Sequence, residues 1–74
     1  MYYLREGKEK ELKNGRTVVS LANKLEVDTK TLYSIFKNKK CKKVLAMALI
    51  SVADGTPLND IQMEERLNHY FDKK

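Results

Sequence analysis

Two apolar stripes of helical period stand almost back to back in this chain, and the shortness of the gap between them limits its fold more than any other feature. In "TVVSLANKLEV", Val18, Leu21, Ala22 and Leu25 recur at i, i+3, i+4 and i+7, the spacing that gathers side chains on one face of a helix. Thr17 can cap that helix through its hydroxyl, and Asn14 with Gly15 supplies a backbone able to end a preceding helix at positive φ. Asp28 is a second N-cap, followed by "TKTLYSIFKN", in which Leu32, Ile35 and Phe36 form another i, i+3, i+4 stripe. Only Glu26 and Val27 remain to turn the chain between the stripes. A connection that short forces two amphipathic helices to cross steeply, so residues 17–37 read as a helix-turn-helix.

A chain of 74 residues has room for one domain and one modest core, which makes 1–74 a single unit. Hydrophobic residues at 42% beside charged residues at 34% are enough to bury a core, so a folded rather than disordered chain is expected. The net charge of +5 is unevenly spread. Residues 1–36 carry seven basic and five acidic side chains, residues 44–74 three basic and five acidic, while "KNKKCKK" at 37–43 holds five lysines and no acid. That heptapeptide accounts for the whole excess and points to a polyanion, with a merely solvated loop as the plain alternative. Cys41 is the only cysteine, which excludes an internal disulfide, and "MYYLREGKEKELK" lacks the apolar stretch of a signal peptide. Both features suggest the cytoplasm. The longest apolar run, "VLAMALISVA", would span only about half a bilayer as a helix and is no membrane anchor.

With nine apolar residues in ten, the same run reads as a helix crossed by others at the centre of the core. Gly55 and Pro57 stop it. Asn59 or Asp60 can start a last helix, about 59–71, with Met63, Leu67, Tyr70 and Phe71 on one side and an acidic outer face. At the other end, "YYLREGKEKELKN" reads as a short extended arm, Tyr2 to Arg5, then a charged helix from about Gly7 to Lys13 anchored by Leu12.

These elements resemble the phage-repressor and Cro-like helix-turn-helix superfamily, also called the lambda-repressor-like or xenobiotic-response-element family. The likeness rests on small Ala22 in the first motif helix, apolar Val27 in the turn, Leu32 and Ile35 at the buried positions of the second helix, and Gly15 where the preceding helix ends. It covers roughly residues 14–53. "LREGKEKEL" and "KNKKCKKVLAMAL" on either side look like small phage and mobile-element proteins with this domain. Glu26 departs from the glycine common in the family's turn, and the first helix offers only Leu12 where the family buries two apolar residues, with Tyr3 and Leu4 as substitutes. The resemblance implies an all-α fold, a small four- to five-helix bundle containing a helix-turn-helix, and a protein that binds double-stranded DNA in a sequence-specific way, a repressor-like transcriptional regulator.

On that reading, helix 28–37 enters the major groove amino end first. With Leu32, Ile35 and Phe36 inward, Thr29, Lys30, Tyr33, Ser34 and Lys37 lie on its outer face or flank. Thr29, Lys30, Tyr33 and Ser34 are then the base-reading candidates: Lys30 donates to guanine acceptors, and Thr29 or Tyr33 touches a thymine methyl, while the Tyr33 hydroxyl or Ser34 can equally reach a phosphate and Tyr33 can instead pack partly against the first motif helix. Lys37, Lys39, Lys40, Lys42 and Lys43 form the loop that the family sets against the phosphate backbone. Arg16 and Thr17, at the positive end of the first motif helix, add a second phosphate clamp. Because one recognition helix reads only a few base pairs, a homodimer through the C-terminal helix is expected.

No catalytic set stands out. His69 and Cys41 are single and unaccompanied, so no zinc spacing or nucleophile–base pair is visible, and no cofactor or small-molecule substrate is implied. Gly7, Gly15 and Gly55 are too scattered for a phosphate cradle, and Glu64 with Glu65 reads as solubilising charge. The competing class is the same fold reused to bind protein, as an anti-repressor, an antitoxin or a polymerase-binding phage protein.

Overall fold

The computed structural model describes residues 1–55 and 57–73; Thr56 and Lys74, both inside the expected 1–74 unit, lie outside the described residues. The element order is β1 (Tyr2–Leu4), α1 (Glu9–Lys13), α2 (Val18–Leu25), α3 (Thr29–Asn38), β2 (Lys40–Cys41), α4 (Lys43–Asp54), α5 (Asp60–Tyr70) and β3 (Phe71–Lys73).

Both stripes become buried helix faces. Thr17 Oγ1 accepts from the Ser20 amide at 3.1 Å to start α2, and Asp28 Oδ1 accepts from the Lys30 amide at 3.0 Å to start α3. Between them Glu26 takes the left-handed conformation at φ +57, and the Val27 amide reaches back to the Ala22 carbonyl at 3.1 Å. Glu26 thus adopts the geometry for which glycine is the cheaper residue. Val18, Leu21 and Ala22 from α2 meet Leu32, Ile35 and Phe36 from α3 in one core, with Leu25 and Val27 half-buried at its margin.

Helix α4 runs through that core on Ala46, Leu49 and Ile50, all without solvent exposure. It is not covered all round: Val44, 77% exposed, and Ser51, seven residues later and also exposed, lie on the side turned away from Ala46, Leu49 and Ile50. Gly55, at φ +76, ends the helix as its composition implies. Asn59 and Gln62 then form a capping box that opens α5, with Asn59 Oδ1 accepting from the Gln62 amide at 2.8 Å and Gln62 Oε1 accepting from the Asn59 amide at 3.2 Å. Arg66 Nε donates to Asp54 Oδ1 at 3.2 Å and ties α5 back to α4.

The expectation of an all-α fold is corrected by a three-stranded antiparallel sheet of order β2-β1-β3. Tyr2 faces Cys41 and Lys73, Tyr3 faces Lys40 and Asp72, and Leu4 faces Phe71. Strands of two or three residues carry no readable alternation, and their partners lie at opposite ends of the chain. Further corrections follow. Phe71 belongs to β3 rather than to the last helix: it is extended at φ −130, and its buried ring meets Tyr2 edge-on at 6.3 Å. The lysine segment is not a loop, since it ends α3, forms β2 and begins α4. Helix α1 is also shorter than expected, starting at Glu9, and the residues that supplement Leu12 are Tyr2 and Leu4, whereas Tyr3 lies on the outer side of the sheet. No helix among the described residues is long and apolar enough to cross a membrane.

Candidate functional site

Rotation by about 100° per residue decides what α3 shows to solvent. Opposite the buried Leu32, Ile35 and Phe36, the side chains of Lys30, Ser34 and Lys37 follow at i, i+4 and i+7, and all are exposed. Tyr33 lies on one flank with 55% of its surface in solvent, so it is not tucked against α2. Thr29 is half-buried, because at seven residues before Phe36 it shares that residue's edge of the helix. The strip therefore brings Lys30, Tyr33, Ser34 and Lys37 together, with Thr29 at its border.

Asn38 joins it. Its Nδ2 donates to Ser34 Oγ at 3.2 Å, one turn away on the same outer side. The i, i+4 spacing from Ser34 was the signal that could have singled it out.

Strand alternation organises the lysines that follow. Cys41 points inward beside Tyr2 and is 5% exposed, which leaves Lys40 and Lys42 exposed on either side of it. Burial pushes the Cys41 thiol up to about 11, so it stays protonated at neutral pH and is no nucleophile. Lys42 occupies the N-cap position of α4 without a side-chain cap, and Lys43 is its first residue. Lys39 ends α3 in the left-handed conformation at φ +57, its amide donating to the Ile35 carbonyl at 2.7 Å.

Among the described residues, Lys37, Lys40, Lys42 and Lys43 have no ion pair, whereas Lys39 Nζ sits 3.1 Å from Glu9 Oε1. Glu9 also takes Lys13 at 2.9 Å, and Lys13 in turn lies over the Phe36 ring at 4.7 Å. Hydrogen bonds from Lys13 and then Lys39 hold the Glu9 carboxyl below its ordinary range. Lys39 is thus partly neutralised by α1, and four lysines remain for an outside anion.

Arg16 and Thr17 stand apart from one another in environment. Thr17 is exposed at the start of α2, its Oγ1 occupied as the cap acceptor while its hydroxyl proton remains available. Arg16 is half-buried and lines a groove with Lys24, Ser51, Val52, Gly55 and Pro57, none of which belongs to α3 or to residues 37–43. His69 is a surface residue with partners the sequence did not suggest: its Nε2 lies 2.8 Å from Glu11 Oε1, joining α5 to α1. Among the described residues no three His, Cys, Asp or Glu side chains are placed to hold a metal ion.

The fold by itself defines a small five-helix protein with a three-stranded antiparallel sheet. Comparison of the chain with family models, with curated proteins and with solved structures finds no match.

Proposed function

We propose that this protein binds double-stranded DNA in a sequence-specific way and acts as a repressor-like transcriptional regulator of phage or mobile-element origin, with α2 and α3 as its helix-turn-helix. The observation that carries this reading is the continuity of an exposed polar helix face with unpaired lysines: Lys30, Ser34 and Lys37 on α3, then Lys40, Lys42 and Lys43 immediately after it. In the major groove, Lys30 donates to guanine O6 or N7, Tyr33 and Thr29 offer apolar contact to thymine methyls, and Ser34 presents a hydroxyl held by Asn38. The lysines neutralise phosphates and release counterions, which sets affinity and register without selecting sequence. Thr17 and Arg16 add the second clamp. Two copies related by a two-fold axis would double the site read, with α5 as the interface; Ile61, 72% exposed on its first turn, supports that choice.

Selection of fragments from random duplex DNA, followed by titration at increasing salt, tests the reading. Log affinity should fall by about 0.9 per contacted phosphate for each tenfold rise in salt. Changing Lys40, Lys42 and Lys43 together to glutamate should remove most binding. Lys30→Ala and Tyr33→Ala should each cost about 1 to 3 kcal/mol on the selected site and much less on random duplex. Affinity indifferent to salt and to the lysine changes rejects DNA as the partner.

A protein-binding role has one observation in its favour, since Val44 stands 77% exposed among the lysines, where a phosphate backbone has least use for it. It requires one host protein to be enriched on the bait after nuclease treatment.

A further inference from the structure

Two exposed apolar side chains each stand in a field of one sign of charge, and the two fields are opposite. Val44, 77% exposed in the first turn of α4, comes directly after exposed Lys40, Lys42 and Lys43. Ile61, 72% exposed in the first turn of α5, has Asp60 before it and Glu64 and Glu65 one turn on, and all three acids are exposed. Among the described residues none of these lysines and none of these acids takes part in an ion pair. The fold keeps the two patches apart. Strand β2 leads straight into α4, β3 follows straight from α5, and both pair with β1, so the start of α4 and the end of α5 meet at the sheet. From Tyr70 back to Ile61 the helix runs about 13 Å, which carries Ile61 and its acids away from the lysines. One molecule therefore has a cationic pole and an anionic pole, each with an apolar side chain that nothing covers.

We propose that the anionic pole docks on the cationic pole of a second copy of this chain, with Ile61 against Val44 and with Asp60, Glu64 and Glu65 facing Lys40, Lys42 and Lys43. Charge complementarity selects this occupant: the acids meet unpaired lysines, and the two apolar side chains leave water together at the centre of the contact. Because the two patches differ, the contact is head-to-tail. It leaves one free pole at each end of a pair, so association extends as concentration rises. The contact stands on the protein alone and belongs to its DNA-free state. Where the DNA reading holds, duplex phosphates claim the same lysines, so docking and DNA binding exclude each other, and α5 is released for the two-fold pair.

Sedimentation of the full-length protein, stripped of nucleic acid, over a range of concentrations at low and high salt is the test. At low salt the average mass should climb steadily with concentration, and high salt should reverse the climb. Two double variants reverse one pole each: Lys42→Glu with Lys43→Glu, and Glu64→Lys with Glu65→Lys. Each alone should associate at least about tenfold more weakly than the wild type, whereas an equimolar mixture should associate again, because every pole of one variant then finds opposite charge on the other. Ile61→Ser should weaken association by about threefold. A single monomeric mass at every concentration in low salt would overturn the proposal. So would undiminished association of the Lys42 and Lys43 double variant, which assigns α5 to its own copy, a mixture that stays monomeric, or an Ile61→Ser variant as strong as the wild type. All of these readouts are made without DNA, so the failure of the DNA reading leaves them untouched.

Discussion

Helices α2 and α3 carry their start and stop signals within themselves: Thr17 and Asp28 cap their amino ends, Glu26 and Lys39 turn out of their carboxyl ends, and each contributes a contiguous apolar stripe. The sheet is built the other way. Tyr2 and Leu4 come from one end of the chain, Phe71 and Asp72 from the other and Cys41 from the middle, so none of its strands has a partner nearby in sequence. The exposed face of α3 belongs to the first kind of region, but the lysines beside it belong to the second, because β2 exists only as a partner of β1. The difference teaches that the composition of the candidate site is local while its shape is not.

The largest expected effect probes the non-local half. Phe71→Ala removes a ring that is 2% exposed and packed edge-on against Tyr2, and should cost about 3 to 5 kcal/mol in urea denaturation. For a domain of this size that is a large share of the total, so the helical signal should be lost at the same urea concentration as the tertiary signal. A helical transition left at its original midpoint would show that α2 and α3 stand without the sheet.

The next effect belongs to the local half. Asp28→Ala deletes the α3 cap and should cost about 1 kcal/mol, with faster amide exchange at Lys30 and Thr31. Unchanged exchange there would mean that packing alone defines the helix start. Glu26→Gly acts in the opposite direction: it relieves a side chain at φ +57 and should raise stability by up to about 1 kcal/mol. A loss instead would reveal a contact of the Glu26 side chain that outweighs its backbone strain.

The smallest effect lies where the two halves meet. Glu9 holds Lys13 within α1 and ties α1 to Lys39, and these two cations, Lys13 first, keep its carboxyl below the ordinary range, so both pairs contribute fully at neutral pH and fade as pH falls through the folded value, below about 4.5. Because both pairs reach solvent, Glu9→Gln should change stability by no more than about 0.5 kcal/mol at neutral pH. Wild type and variant should converge in acid, which denaturation at two pH values checks. Freed from Glu9, Lys39 should also bind duplex DNA slightly better, visible as a steeper salt dependence.

Much of this molecule was legible without coordinates because caps and stripes act over one or two turns of helix. The cap residues Thr17, Asp28 and Asn59, the inward set Leu32, Ile35 and Phe36, and the outward Lys30, Tyr33, Ser34 and Lys37 all follow from 3.6-residue periodicity and hydrogen-bond chemistry. Only the tertiary structure decided that "YYL", "KC" and "FDK" become one sheet, that Phe71 leaves the last helix, that Glu9 claims Lys39, and that Arg16 turns into a groove beside Lys24 and Ser51. Those outcomes depend on which distant segments meet. A chain read in order shows what each segment prefers, whereas pairing across its whole length is decided by which arrangement buries the shared core and satisfies the backbone at once.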